Sequence, residues 1–202
     1  MTPTVMTVLG PVAAADLGVV LPHEHLLVRL WSQPDQHADP RFHERLTLAN
    51  LGSVRQNWSA NADNVHLGSE SLAIRELARF KAAGGGTLVD LTQDGIGRSP
   101  AALVRISRAT GVHIVMGSGA YVGQTHPTWV GQSSDDELAT RFAAEAREGA
   151  GRTGVRPGIL GELGCSWPLL PDEVRVLRAG ARAQRETGLA ITVHPGRDRA
   201  AP

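Results

Sequence analysis

The residues best suited to chemistry begin with His23-Glu24-His25, which follow the apolar run Val19-Val20-Leu21 and Pro22. Side chains two apart in a strand share a face, so His23 and His25 would present two imidazoles side by side. Neutral imidazole is the commonest protein ligand for Zn²⁺ and its neighbours. β-formers running into His-x-His therefore read as half of a metal site. The plainer alternative is two hydrogen-bonded polar residues at a strand end. Two more candidates stand far along the chain, Glu162 after Ile159-Leu160-Gly161 and His194 after Ile191-Thr192-Val193.

The elements that must position these side chains follow from patterning. Val5 to Leu9, the turn signal Gly10-Pro11 and the apolar stretch to Leu21 predict a small β-ribbon leading into the first main strand. Residues 31–66 are polar and weakly patterned, as functional loops or lids often are. His37, His43 and His66 read as solvated histidines there. Beyond this the spacing predicts a helix over 71–83 with Ala73, Ile74, Leu77 and Phe80 on one face and Gly84 as its stop. A strand follows over 87–91. Ser99-Pro100 opens a helix as N-cap and N1, and the next strand is 113–116. Ser134-Asp135-Asp136-Glu137 is a capping box, with Leu138 and Phe142 pointing inward. After a glycine-rich connection over 149–158, a strand begins at Ile159 and ends at Glu162. The helix over 171–187 carries Val174, Leu177 and Ala181 on one face, and a last strand over 190–193 ends in His194. Such βα alternation implies a parallel sheet with its helices outside. His23, His25, Glu162 and His194 all fall at the carboxyl ends of strands, the edge where barrels and open α/β sheets place their chemistry.

Composition narrows the function classes. Twenty basic and twenty acidic residues cancel, which argues against a nucleic acid or an anionic membrane as the main partner. The single cysteine, Cys165, rules out an intrachain disulfide framework and fits a reducing, cytoplasmic compartment. No apolar run approaches a membrane span, and the first residues lack a basic leader region. Several residues have plainer readings. Glu24 points away from the histidine face, His113 starts its strand at the far end of the sheet, and His126 is ambiguous. Nothing near Cys165 activates it as a nucleophile. Gly84-Gly85-Gly86 precedes its strand, so it is a helix stop rather than a phosphate loop.

The motifs Thr7-Val8-Leu9-Gly10, Leu17-Gly18 and His23-Glu24-His25-Leu26 resemble the opening of the phosphotriesterase family of the amidohydrolase superfamily. Gly84 to Val89, Thr110 to Ile114 and Gly117 to Val122 extend the resemblance. Gly161-Glu162-Leu163-Gly164-Cys165-Ser166-Trp167-Pro168-Leu169 and Val193-His194-Pro195-Gly196-Arg197 are closest to its phosphotriesterase-related branch. The resemblance implies a TIM (β/α)8-type barrel and a centre of two divalent ions, zinc in type. It makes His23, His25, Glu162 and His194 the metal ligands. Glu162 stands where related enzymes carry a carboxylated lysine, and it would bridge the two ions. Tyr121 would touch the metal-bridging hydroxide or the substrate, and Arg197 would hold an anionic substrate group. The implied reaction is hydrolysis of an ester, lactone, phosphoester or N-acyl amide of a small molecule.

A full barrel takes about 250 residues, whereas residues 1–202 read as one partial hydrolase domain holding about strands 1–5 with their helices, behind the N-terminal β-ribbon. The family's strand-6 histidine and strand-8 aspartate have no counterpart after His194. Three expectations stand side by side: a fragment of a full-length enzyme, one half of a split enzyme whose strands 6–8 come from a complementing chain, or a non-catalytic metal-binding or interaction module. Exposed sheet edges also point to a homo-oligomer, and the chain alone is expected to be inactive or impaired.

Overall fold

The computed structural model describes residues 2–30 and 39–198, so His37 lies outside the described residues. A hairpin opens the chain, with β1 (Thr4–Thr7) antiparallel to β2 (Gly10–Ala13) and Thr7 opposite Gly10. The turn is Val8-Leu9, and Gly10-Pro11 lies inside the second strand rather than at the turn. Thr7 closes the loop early: its Oγ1 donates to Gly10 O at 2.7 Å and accepts from Leu9 N at 3.3 Å. Val8 N donates to Ile114 O at 2.8 Å, which seats the ribbon against the amino-terminal end of the sheet.

Strand β3 (Val19–Glu24) carries the first histidine, and its Pro22 is tolerated because β3 is an edge strand. After β4 (Val28–Arg29), residues 39–66 are not the patternless loop the sequence predicts. They fold as a 3₁₀ turn (Pro40–His43), α1 (Leu51–Gln56) and α2 (Ala62–Val65), burying Phe42, Val54 and Val65. Each piece is too short to show periodicity. Side chains close their ends, as where Asn61 accepts from Asn64 N at 3.3 Å and donates to Glu44 O at 2.8 Å. A two-residue strand, β5 (His66–Leu67), then pairs antiparallel with β4.

From here the alternation is regular. Ser69 caps α3 (Glu70–Ala82), accepting from Leu72 N at 3.2 Å. Gly84, at φ +96°, turns the chain into β6 (Gly85–Asp90). Helix α4 (Pro100–Thr110) has its proline at the first turn, although the Ser99 side chain makes no capping bond. Then come β7 (His113–Ser118), α5 (Thr128–Gln132), α6 (Asp135–Glu148), β8 (Ile159–Gly164), α7 (Pro171–Thr187) and β9 (Ile191–His194). The capping box on α6 is reciprocal: Glu137 N donates to Ser134 Oγ at 3.3 Å and Ser134 N to Glu137 Oε2 at 2.7 Å.

Strands β3-β6-β7-β8-β9 form one parallel sheet in that order. One apolar cluster packs α3 and α4 on β6 and β7 through Leu77, Leu88, Leu103, Ile106 and Ile114. A second packs α6 and α7 on β8 through Leu138, Phe142, Leu160, Leu163 and Val176. The buried face of α7 is Val176, Ala179, Gly180 and Ala183, with Ala181 exposed, so the face predicted from Val174, Leu177 and Ala181 is rotated. Small residues win because the helix lies close to the sheet: a Cβ at Gly180 would come within 2.5 Å of Leu163 Cδ1. No helix among the described residues is long and apolar enough to cross a membrane.

The sheet is curled. In a flat sheet β3 and β8, three places apart, would lie about 14 Å from one another. Yet His23 on β3 reaches Glu162 on β8 at 3.3 Å, which requires the sheet to bend round until side chains of distant strands meet.

Candidate metal centre

Two irregularities of register aim the side chains at the carboxyl edge. On β3, Leu21 faces Leu88 while Glu24 faces Asp90, so three steps oppose two. On β8, Leu160 faces Ile191 while Leu163 faces Val193, again three steps against two. An extra residue bends a strand and re-aims what it carries; His23 lies inside the first irregularity and Glu162 inside the second. Glu162 is thus within its strand, not at the end the sequence predicts. Gly161 makes the second irregularity possible. At φ +116° it takes a backbone conformation that favours glycine, and a Cβ there would lie 2.3 Å from Thr192 O.

The carboxylate of Glu162 is 1% exposed and is surrounded by imidazoles. His23 Nε2 lies 3.3 Å from its Oε2, His25 Nε2 3.3 Å from its Oε1, and His194 Nδ1 3.0 Å from its Oε2. Ligand atoms of His23, His25 and Glu162 all fall within 4.8 Å of one another. His194 meets this group through Glu162. The structure therefore brings together all four residues the sequence singled out as ligands. Burial opposes the charge on Glu162. Hydrogen bonds from His194 and His25, with His23 close by, outweigh it and hold the pKa at about 2.

The donor set suits a divalent cation. His25 Nδ1 lies 3.0 Å from Thr92 Oγ1. Without a cation, His25 Nε2–H faces Glu162; with one, a proton on Nδ1 donated to Thr92 would free the Nε2 lone pair to ligate, which is how metal-ligating histidines are usually supported. Asp90, buried beside this pair, accepts from Leu26 N at 2.8 Å and Thr92 N at 3.0 Å, and so fixes the backbone on either side of His25 and Thr92. Burial pushes the Asp90 carboxyl upward, against those hydrogen bonds.

Tyr121 stands next to His194, its hydroxyl 3.1 Å from Nε2. Burial, then the charge of Glu162, push its phenol up to about 12, with Arg197 opposing. Arg197 itself is exposed and shares with Tyr121, His194, Trp58 and Trp167 a cleft of about 590 Å³ at the mouth of the cluster. The walls of that cleft are tied by Glu173, buried at the start of α7. It accepts from Gly123 N at 2.8 Å, Ser166 N at 2.9 Å, Ser166 Oγ at 2.7 Å and Leu170 N at 2.9 Å.

The residues with plainer readings fall accordingly. Glu24 lines a groove against α3 with Leu72 and Phe80, and His126 Nε2 donates to Tyr121 O at 2.8 Å. Burial, then Glu173, push the Cys165 thiol up, away from thiolate. Sequence reasoning passed over Asp90, Thr92, Gln93 and Glu173. The first three had a usable signal, a polar run closing an apolar strand at the chemical edge of the sheet.

A curled parallel α/β sheet that gathers three imidazoles around one buried carboxylate makes this a protein with a group that could hold a metal ion. Residues 3–202 match the model of the Phosphotriesterase family, and the chain belongs to that family. It is 41% identical over 203 residues to a phosphotriesterase-related protein of Nematostella vectensis, covering 97% of this chain and 58% of that one. The human N-acetyltaurine hydrolase is 40% identical over 202 residues, covering 98% and 58%. Among solved structures, a resiniferatoxin-binding protein from Rhodobacter sphaeroides superposes with a TM-score of 0.88 at 38% identity, covering 95% of this chain and 55% of that chain. The chain thus spans a little over half the length of the relatives it matches.

Proposed function

We propose that this chain carries the first part of a metal-dependent hydrolase centre that acts on a small acyl compound with an anionic end. The observation that carries the proposal is the convergence of His23, His25 and His194 on one buried, ionised carboxylate. His23, His25, Glu162 and His194 would hold divalent ions, two in number and zinc in type. Bound there, such ions supply Lewis-acid polarisation of a carbonyl or phosphoryl oxygen and a nucleophile from water.

The chain's own groups do the rest. Glu162 stays ionised at any pH near neutrality, and Thr92 keeps His25 in the ligating tautomer. The phenol of Tyr121 remains protonated and donates a hydrogen bond to the oxygen that gains charge on the substrate. Arg197 on the cleft wall draws in a carboxylate or sulfonate. That group, together with the N-acetyltaurine hydrolases among the relatives, favours an anionic N-acyl amide over a neutral ester. The chain is proposed as an incomplete barrel, and the remaining ligands the family uses would come from residues outside 1–202, on the same polypeptide or on a complementing one.

Metal analysis and ligand binding test this. The purified chain should bind two Zn²⁺ that a chelator removes, and N-acetyltaurine should quench the tryptophan fluorescence of the zinc-loaded protein. Arg197→Met should weaken that binding and leave metal content unchanged. None or one loosely held ion would favour a non-catalytic metal-binding module instead. Robust, chelator-sensitive turnover by the pure chain would overturn the need for outside residues.

A further inference from the structure

We propose that Gln93 is a positioning residue of this centre, holding the backbone at Gly161 so that the Glu162 carboxylate stays beneath the three imidazoles. The proposal rests on the metal-centre reading above. Gln93 follows β6 at the carboxyl edge and is 0% exposed. Its Nε2 donates to Leu91 O at 3.1 Å and also to Gly161 O. The second bond is unusual in its reach, because β6 and β8 are not neighbours and β7 lies between them.

Gly117 on β7 makes the crossing possible. A Cβ at that position would lie 2.9 Å from Gln93 Nε2 and 2.0 Å from Gly161 O. The carbonyl that Gln93 grips sits inside the register irregularity of β8, one peptide unit before Glu162. A side chain anchored on β6 thus reaches under β7 to hold the bend that aims the carboxylate.

The other end of the amide argues against a purely structural role. Gln93 Oε1 is buried and has no hydrogen-bond partner among the described residues. An orphaned buried acceptor costs folding free energy, and a Met or Leu of similar volume would avoid that cost. What the glutamine offers in return is the donor pair, one arm of which fixes the Glu162 backbone. Groups that orient a metal ligand in this way change metal affinity by about 10–100-fold when removed.

The test is Zn²⁺ affinity, measured by chelator competition on the purified 202-residue chain, alongside the melting temperature of the metal-free protein. Gln93→Met should bind Zn²⁺ at least about 10-fold more weakly, while its metal-free melting temperature stays within about 4 °C of wild type. Ser107→Ala is the control, since it deletes a buried hydrogen bond to Val112 O (2.7 Å) remote from the centre; it should leave Zn²⁺ affinity unchanged. Equal affinities for wild type and Gln93→Met would overturn the proposal. So would a parallel fall in Gln93→Met and Ser107→Ala that tracks stability. Failure of the wild type itself to bind Zn²⁺ would instead remove the metal-centre reading. Should Gln93→Met not fold, Gln93→Glu, isosteric but unable to keep both donors, is read against the same two outcomes.

Discussion

Glu162→Gln in the metal-free protein sets the burial of a carboxylate against the histidines around it. Burial at 1% exposure disfavours the charge, yet His194, His25 and His23 hold the folded pKa at about 2. A glutamate in the unfolded chain titrates near ~4.3, so the depression of roughly two units is worth roughly 3 kcal/mol at 1.36 kcal/mol per unit. Because the folded value lies below the unfolded one, this stability is present in full above about pH 5 and is lost as the pH falls through the folded value toward 2. Glutamine keeps the shape and cannot ionise. Urea unfolding in chelator, followed by tryptophan fluorescence, should find wild type more stable than Glu162→Gln by about 3 kcal/mol at pH 7, the gap closing to under about 1 kcal/mol near pH 2.5. A gap independent of pH would refute the reasoning. A Glu162→Gln protein more stable at pH 7 would do so more sharply, since burial would then outweigh the imidazoles.

Three further outcomes are expected. Arg98 and Glu145 form a buried two-pronged ion pair, at 2.8 and 3.0 Å, which Ser118 Oγ joins at 2.7 Å. Arg98→Met strands the carboxylate and should cost about 3–5 kcal/mol in urea unfolding, with Glu145→Leu added to it recovering most of the loss. Glu173→Gln cannot accept all four donors that tie the cleft walls, so it should cost about 2 kcal/mol and speed hydrogen exchange at the Gly123 and Ser166 amides. Tyr121 is the only tyrosine in the chain, so absorbance at the phenolate band reads it alone. Its transition should come near pH 12 in the folded protein and near ~10 in urea, and the protein should lose stability as the pH rises between those values.

That His23, His25, Glu162 and His194 would meet was legible because position in a βα repeat is itself chemical information. A histidine or glutamate late in an apolar strand falls near the edge where such sheets work, and all four meet even though Glu162 lies inside β8 rather than at its end. Local signals also held where the chemistry is local: Ser134 and Glu137 cap each other, and α7 spans the predicted 171–187. What escaped depends on contacts between distant residues. The bend at Gly161 lies against Thr192 O and accepts a hydrogen bond from Gln93, and neither marks the sequence around it. The buried face of α7 was misread because Ala179, Gly180 and Ala183 are small, and close approach to Leu163 rewards smallness over apolar bulk. The helical pieces of residues 39–66 are shorter than the window in which periodicity can be seen.

The curl that joins β3 to β8 also orders events in time. Glu162 leaves the ribosome about 140 residues after His25, an interval on the order of ten seconds at ~5–20 residues per second. Until then the nascent chain offers a passing cation only a bare pair of imidazoles on a strand with exposed Val19 and Val20. On the metal-centre reading proposed above, tight capture would wait for β8 and then β9 to bring in Glu162 and His194, so a bound ion would follow the assembly of this sheet rather than seed it.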